Sequence, residues 1–419
     1  MRTIILCLLQ LIAVHVYAQR ECGSSLYIAQ QRSSASYHSE RAIAVEAFIQ
    51  QNLTVTGASP VTNARTTAVG VIRIPVVVHV VYNHPSQNIS DAQVQSQIDA
   101  LNRDFRRKNA DAVNTPAHFQ ALAADVMIEF ELATVDPKGR ATSGIVRKQS
   151  DVTEWGMDDA IKYSSKGGSS AWDSKSYLNI WVAPLRKVLG YSSEPGGPAD
   201  KDGIVISTNA FGTIGTAAPF HLGRTAVHEV GHWLGLKHIW GDAFCGDDLV
   251  HDTPRQSSYT IGCPTGVKVS CGNDPYGNMY MNYMDFTNDA CMNMFTIGQM
   301  NRMRSLFNEG GPRYSLTQSK GLTAPWNKEP EVEPIIIPEP VKKGGIFPNP
   351  AKDEVMLNLA DESWVGQDIQ LLNMNGILIK QIRLTSSLQR ISLENLPRGI
   401  YFIKADNNGN KINHKLVKL

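Results

Sequence analysis

The sequence has almost no net charge. Lys and Arg number 40 and Asp and Glu number 39, which gives a formal charge of +1 over 419 residues. Proteins that bind nucleic acid or anionic membranes over a broad surface carry a clear excess of basic residues. The balance therefore argues against a nucleic-acid-binding protein and against a polybasic membrane anchor, and leaves room only for a local basic patch.

Long hydrophobic runs are also lacking after the N-terminus. Residues 1–18, MRTIILCLLQLIAVHVYA, have a basic residue, a short apolar run and a small residue at the end, which is typical of a secretory signal. We expect cleavage after Ala18. No other segment approaches the roughly 20 apolar residues of a membrane span, so we expect a soluble mature protein without a transmembrane segment. We also expect the protein to be secreted and monomeric.

Cysteine is scarce, with six residues in the whole chain. Cys7 leaves with the signal peptide, and Cys22 stands alone near the new N-terminus. The other four follow one another at Cys245, Cys263, Cys271 and Cys291. Export permits disulfides. Four cysteines allow three pairings, and their spacing does not choose among them.

Histidine, in contrast, is concentrated in one stretch, HEVGHWLGLKH at residues 228–238. His228 and His232 are four residues apart and share one face of a helix. Gly235 can end that helix in a left-handed turn, and the redirected chain can bring His238 to the same point. Three neutral imidazoles with an open fourth position make a catalytic zinc site.

Glu229 follows the first histidine directly and is placed to take a proton from a water molecule at the zinc. A bare H-E-x-x-H also arises on ordinary amphipathic helices, where the histidines are polar or core residues. The extension to the third histidine, together with Met284 in the downstream stretch NYMDF, strongly favours the zinc site over that alternative.

Composition divides the rest of the chain. Residues 19–64 are rich in Ser, Ala, Gln and Thr with one helical stretch, SERAIAVEAFIQQNL, and predict a propeptide. Residues 65–324 predict a catalytic domain. Buried-strand patterns in IRIPVVVHVVY, MIEFELA, YLNIWVAPL and DGIVIST alternate with a helix at residues 90–107, which a capping box of Ser90 and Gln93 begins. This order predicts an open α/β sheet beneath the active-site helix.

Prolines and charges in residues 325–345 predict an extended linker. Residues 346–419 then contain about six short alternating segments with turn signals such as Asn375-Gly376, a pattern typical of a small β-sandwich.

These motifs resemble the pappalysin family of metzincin endopeptidases over residues 72–307. The resemblance rests on the zinc motif, the four later cysteines, HDTP, NYMDFTNDACM and FTIGQM. It implies a metzincin fold of mixed α/β class, with a twisted, mostly parallel sheet, an active-site helix and a loop-rich, disulfide-linked lower subdomain. It also implies zinc ligation by the three histidines, general-base catalysis by Glu229 and a position under the zinc for Met284.

The resemblance further implies disulfides that join Cys245 to Cys271 and Cys263 to Cys291. It implies a calcium site in CGDDLVHDTP, whose candidate ligands are Asp247, Asp248, the Val250 carbonyl, Asp252 and Thr253. Such closely spaced oxygens suit Ca²⁺, although an acidic surface turn has the same sequence pattern.

Asp289 matches an acid that, in bacterial members of the family, lies in the S1′ pocket and selects Arg or Lys at P1′. A carboxylate at the base of a desolvated pocket pairs well with a guanidinium, whereas a lone aspartate is more often on the solvated surface.

Cys22, in QRECGSS, resembles a cysteine switch, in which a thiolate on the zinc keeps a precursor latent. A lipid-anchor cysteine and an accidental free thiol are the alternatives, and the three residues between Ala18 and Cys22 disfavour the anchor.

The C-terminal segment resembles the cargo domain of bacterial type IX secretion, which implies recognition by that machinery, passage across an outer membrane and then removal or surface attachment. The segment ends in Leu419, where a lysine is often seen. A carbohydrate-binding or adhesin sandwich is the alternative, but Trp364 is the only tryptophan of the segment and no aromatic cluster is evident.

Together the patterns predict a secreted zinc endopeptidase, made as a latent precursor, that acts on proteins and peptides before Arg or Lys. Arg65 lies in a stretch of small and polar residues, so we expect activation by cleavage of the Ala64-Arg65 bond.

Phe286 stands where several metzincins have a tyrosine whose hydroxyl can reach the developing oxyanion. The alternative is therefore a weakly active or inactive surface-displayed protein that keeps zinc and binds peptides.

Overall fold

The computed structural model describes residues 22–34, 36–55, 70–327, 344–359, 362–407 and 410–419. Two compact units divide the chain at the boundary between Lys328 and Glu329. The predicted signal peptide and the predicted activation bond Ala64-Arg65 lie outside the described residues.

A six-stranded sheet forms the centre of the larger unit. Its strands are β1 (Ile72–Tyr82), β2 (Ile128–Leu132), β3 (Ile145–Gln149), β4 (Leu178–Ala183), β5 (Gly190–Ser192) and β6 (Ile204–Ser207). The order is β2-β1-β4-β6-β5, and β3 also pairs with β1. The pairs are parallel except for β5 with β6. β1 is buried without interruption from Ile74 to Val81, because helices and loops cover both faces of a parallel sheet.

The helices of this unit are α1 (Ser24–Ser34), α2 (Ser36–Val55), α3 (Asp91–Phe105), α4 (Ala117–Gln120), α5 (Arg224–Trp233) and α6 (Ile297–Ser305). The helical stretch predicted in the propeptide corresponds to α2, but α1 was not predicted. Among the residues described, none of these helices combines the length and the apolar composition that a membrane span requires.

Helix α3 begins as predicted at Ser90, whose hydroxyl accepts a hydrogen bond from the Gln93 N–H at 3.1 Å. The predicted capping box is wrong in its second half. The Gln93 side chain donates instead to the Phe211 carbonyl at 2.9 Å, because the loop after β6 returns over the helix and supplies an acceptor.

One hydrophobic core joins the sheet to its helices. It contains Val76 and Val78 of β1, Leu101 of α3, and Val230 and Trp233 of α5, all of them buried. The active-site helix α5 therefore lies against the sheet, as the alternation of strands and helices predicted.

The described residues of the smaller unit form seven strands, all in antiparallel pairs, where the sequence predicted about six. Its strands are β7 (Gly345–Phe347), β8 (Glu354–Asn358), β9 (Asp368–Asn373), β10 (Leu378–Arg383), β11 (Leu388–Ser392), β12 (Gly399–Asn407) and β13 (Asn410–Lys418). They form sheets of order β10-β9-β12-β13 and β11-β8-β7. Side chains of both sheets, such as Leu357 and Leu371, share one buried core, which makes this unit a sandwich.

Candidate active site

Helix α5 and the turn after it bring three histidines together. His228 and His232 are buried on one face of α5, with their Nε2 atoms 3.1 Å apart. Gly235 has φ +81° directly after the helix, a conformation that favours glycine. The chain therefore reverses, and His238 Nε2 lies 3.1 Å from His232 Nε2. The predicted left-handed turn at Gly235 is confirmed.

Each histidine is oriented by an oxygen at its other ring nitrogen. The Nδ1 atoms of His228, His232 and His238 lie 2.6, 2.9 and 2.6 Å from the Tyr283 carbonyl, the Leu236 carbonyl and the Asp242 carboxylate. Since these oxygens accept, each Nδ1 donates and each Nε2 keeps a lone pair for a metal. Burial, and next the charge of His238, lower the pKa of His232 to about 3, so its imidazole is neutral.

Cys22 supplies a fourth donor atom to the same point. Its Sγ lies 3.6 Å from His232 Nε2, and the four donor atoms lie within 4.8 Å of one another. A tetrahedral zinc ion would hold its nitrogens about 3.3 Å apart and its sulfur about 3.6 Å from each nitrogen, given the usual bond lengths. Within the described part of the chain, no other group of three His, Cys, Asp or Glu side chains is gathered in this way. The donor set therefore fits zinc.

The electrostatics of Cys22 also fit a cation. Burial, and next the charge of Glu229, raise the pKa of the Cys22 thiol well above its ordinary value. A thiolate at this position therefore needs a positive partner, and a divalent ion supplies one.

Glu229 is buried beside the histidines and is covered by the N-terminal segment. Ser24 Oγ donates to Glu229 Oε2 at 2.6 Å and accepts from the Ser192 N–H at 2.9 Å. The next residue, Ser25, donates to Asp242 at 2.8 Å. Residues 22–25 therefore contact the candidate base, one histidine's carboxylate partner and the metal position together.

Met284 lies beneath the active-site helix and is buried. A Cβ atom added to Gly231 of α5 would lie 2.5 Å from the Met284 sulfur, so only glycine permits this close approach. The Met284 carbonyl accepts from the Ile239 N–H at 3.2 Å, which ties the methionine turn to the segment that carries His238.

Phe286 belongs to an aromatic cluster at the site. Its ring centre lies 4.9 Å from that of His238 and 4.8 Å from that of Trp240. Tyr259, which is 39% exposed, packs on Phe286 at 5.2 Å. The phenyl ring therefore has a packing role, and it brings no hydroxyl group to the site.

Asp289 is completely buried, so the alternative of a solvated surface aspartate is wrong. Its Oδ2 accepts from the Leu222 N–H at 2.8 Å and from the Arg224 N–H at 3.4 Å. Arg224 is the first residue of α5. The carboxylate therefore lies at the N-terminus of the active-site helix, where negative charge is favoured, a contact that the sequence did not predict.

The four later cysteines form two disulfides, Cys245 with Cys271 and Cys263 with Cys291. This is the pairing that the resemblance implied. Cys22 is a free thiol.

The five candidate calcium ligands do not act as one set. Asp252 is engaged at the start of α6, where its carboxylate accepts from the Thr296 hydroxyl at 2.7 Å and the Gly298 N–H at 2.8 Å. Asp247 is exposed and pairs with Arg255. Asp248, the Val250 carbonyl and Thr253 remain clustered, with the Thr253 hydroxyl 2.7–2.9 Å from the other oxygens.

Comparison with known families covers both units. The profile described as pregnancy-associated plasma protein-A, which defines the pappalysin peptidases, matches residues 162–308. The profile described as a secretion system C-terminal sorting domain matches residues 345–419.

Curated relatives include fungal secreted enzymes. The extracellular metalloprotease of Verticillium alfalfae is 33% identical over 227 residues, which span 52% of this chain and 69% of the relative. Extracellular metalloprotease 1 of Coccidioides posadasii is 34% identical over 253 residues, which span 57% of this chain and 78% of the relative.

Similar solved structures come from Tannerella forsythia. Mature mirolysin in complex with a cleaved peptide is 50% identical, with a TM-score of 0.58 over 59% of this chain and 96% of that one. A promirolysin variant is 45% identical, with a TM-score of 0.64 over 71% of this chain and 97% of that one. The chain therefore belongs to the pappalysin family and is a secreted metalloendopeptidase that ends in a type IX sorting domain.

Proposed function

We propose that this protein is a zinc endopeptidase, made as a latent precursor, that matures itself and cleaves peptide bonds before Arg or Lys. The observation that carries the proposal is the convergence of three buried Nε2 atoms and the Cys22 thiol beside Glu229. Three histidines that hold a metal, with a carboxylate beside it, are the minimum for metal-assisted peptide hydrolysis.

The domains follow from the same proposal. Residues 1–18 are a signal peptide, 19–64 a propeptide, 65–324 the catalytic domain, 325–345 a linker and 346–419 the sorting sandwich. The unit boundary after Lys328 and the family match over residues 345–419 support the last three divisions. Contacts of residues 22–25 with the site support the second.

Zinc held by His228, His232 and His238 supplies Lewis-acid chemistry: it polarises a carbonyl and lowers the pKa of a water molecule. Glu229 accepts the proton of the attacking water and returns a proton to the leaving amine. Its carboxylate is 1% exposed, so the surroundings strengthen its charge interactions. The Asp242 carboxylate and the two carbonyls at the Nδ1 atoms keep the three histidines in the ligating tautomer.

Latency follows from what the propeptide occupies. The Cys22 thiolate would take the coordination position on the metal that a water molecule needs, and Ser24 donates to Oε2 of Glu229, the proposed base. Both reactants are therefore blocked by neighbouring residues of one segment. An accidental free thiol would have no reason to lie with the three histidines, which is why we favour the switch.

Asp289 is proposed to select Arg or Lys at P1′. The resemblance of the segment around it supports this role, and a desolvated carboxylate attracts a guanidinium far more strongly than an exposed one. Two backbone N–H groups donate to Oδ2 and fix the orientation of the carboxylate at the start of α5.

Calcium is proposed at Asp248, the Val250 carbonyl and Thr253. The Thr253 hydroxyl lies within 2.9 Å of three acceptor oxygens, yet it has one hydrogen to donate. A cation would satisfy this excess of acceptors. Asp247 and Asp252 are left out of the proposed set because other groups engage them.

A second candidate function is peptide binding without efficient turnover, which the missing hydroxyl at Phe286 favours. Mapping the cleavage products of an unfolded protein separates the two. We expect new N-termini at Arg and Lys, and a mature enzyme that begins at Arg65 only when Glu229 is intact. A zinc-loaded protein that cuts nothing would support the binding function. A start beyond Ile74, or an unchanged start in Glu229→Ala, would assign maturation to another protease.

A further inference from the structure

Tyr27 is a propeptide residue that is buried as deeply as the catalytic core. It is 2% exposed, although it belongs to a segment that the proposed maturation removes. Its ring packs against Tyr191 of β5 at 4.9 Å and joins the hydrophobic cluster that also holds Trp155 and Trp181. The pocket that encloses Tyr27 is therefore made by the catalytic domain.

The hydroxyl of Tyr27 is recognised by a buried ion pair. It donates to Asp159 Oδ1 at 2.7 Å, and Lys162 Nζ donates to it at 3.3 Å. The Lys162 ammonium also lies 4.9 Å from the centre of the Tyr27 ring, within the range of a cation–π contact. The pocket thus binds both the hydroxyl and the ring of a phenol.

The ion pair does not need Tyr27 to be satisfied. Asp159 also contacts Lys162 at 3.0 Å and Lys201 at 3.2 Å, and Lys162 donates to the Lys201 carbonyl at 2.8 Å. The pocket therefore keeps its charges paired when the propeptide leaves, which makes Tyr27 an occupant rather than a part of the core.

We propose that the pocket of Asp159, Lys162 and Tyr191 is a phenol-binding site that anchors the propeptide independently of the metal. Tyr27 follows Cys22 by five residues and extends from the start of α1, so one short segment carries the pocket contact in addition to the contacts of residues 22–25 with the metal site. The pocket keeps α1 bound when the contact between thiol and metal is lost. The ligand class is a peptide with a tyrosine in the first turn of a helix.

The proposal rests on the proposed latency, yet the two fail separately. Maturation of a Cys22→Ala precursor reports on the switch. The change that Tyr27 substitutions cause in the protection of α1 in metal-free protein reports on the Tyr27 pocket.

Hydrogen exchange of residues 24–34 tests the anchor in the full precursor, held intact by Glu229→Gln, which keeps an acceptor for Ser24. We expect α1 to stay protected after a chelator removes the metal. Tyr27→Phe should lower protection about 10- to 100-fold, since it deletes a hydrogen bond to a charged acceptor, and Tyr27→Ala by at least about 100-fold. The control Leu26→Ala, which trims a 58% exposed neighbour, should change it less than about threefold.

Two results would overturn the anchor. One is equal protection in the Tyr27→Ala and Leu26→Ala precursors. The other is complete loss of protection in the parent on removal of the metal alone, which would make the metal the single attachment.

Discussion

Replacing Asp289 separates two roles that one carboxylate is proposed to have. In Asp289→Ala the Leu222 and Arg224 N–H groups lose their acceptor at the buried start of α5. An unsatisfied buried donor costs about 1–3 kcal/mol, and lost charge at a helix N-terminus about 0.3–2 kcal/mol. Since the Arg224 contact is long, we expect the free energy of unfolding to fall by about 2–4 kcal/mol.

Asp289→Asn keeps an oxygen for the Leu222 N–H and loses only the charge, so its unfolding free energy should fall by about 1 kcal/mol. Both variants lose the partner of a P1′ guanidinium. We expect each to lose about 2–5 kcal/mol of preference for Arg over Leu at P1′, the range for one partner of a buried charge pair.

Chemical denaturation in a Glu229→Ala background, which prevents self-digestion, measures the first quantity. The kcat/KM ratio for matched Arg and Leu peptides in the active background measures the second. Asp285→Asn is the control, because it removes another buried carboxylate of the same segment, one that binds Thr260 and Gln256. An Asn variant that keeps its Arg preference would refute the specificity role, and an Ala variant as stable as the parent would refute the helix contact.

Three further changes test other parts of the site. Phe286→Tyr should leave kcat unchanged or raise it, up to about 10²-fold if the hydroxyl reaches the oxyanion; a large fall in steady-state kcat would mean that ring packing dominates. Cys22→Ala precursor should mature faster than the parent in a time course followed by N-terminal sequencing, and equal rates would exclude the switch. Burial raises the pKa of Asp248 from 3.8 to about 7. At a pH between these two values, the Asp248 carboxyl is deprotonated in the unfolded chain but still protonated in the folded chain. Calcium-free protein should therefore lose up to about 4 kcal/mol of stability from pH 4 to pH 7 through this group. Asp248→Asn should remove that loss in calcium-free denaturation curves, and a pH dependence equal to the parent's would contradict it.

The sequence predicted those parts of the site that depend on local spacing. His228, His232 and Glu229 lie within about one helical turn. At Gly235 the glycine itself indicates a left-handed backbone conformation, which other residues rarely adopt. Strands β1, β4 and β6 were equally readable, because a strand buried on both faces is a continuous apolar run, and β2 was readable from its alternation. Strand β3, which is largely exposed, and strand β5, which has three residues, were not predicted.

Other parts depend on contacts between distant segments, and no local pattern marks them. Tyr27 meets Asp159 across 132 positions of the chain, so no local pattern marks its burial. Asp252 could bind calcium by its residue type, but its carboxylate accepts a hydrogen bond from Thr296 at the start of α6, 44 residues later in the chain. Asp242, which was not predicted, does have a local signal, since it follows His238 by four residues and lies at its Nδ1.

The most direct test of the account measures zinc content and peptide cleavage together in the mature protein and in Glu229→Ala. We predict one zinc ion per chain in both, cleavage before Arg and Lys in the parent, and no cleavage in the variant, because the three histidines hold the metal without Glu229. A folded Glu229→Ala protein that lacks zinc, or one that cleaves at the parent's rate, would contradict the roles assigned to these residues.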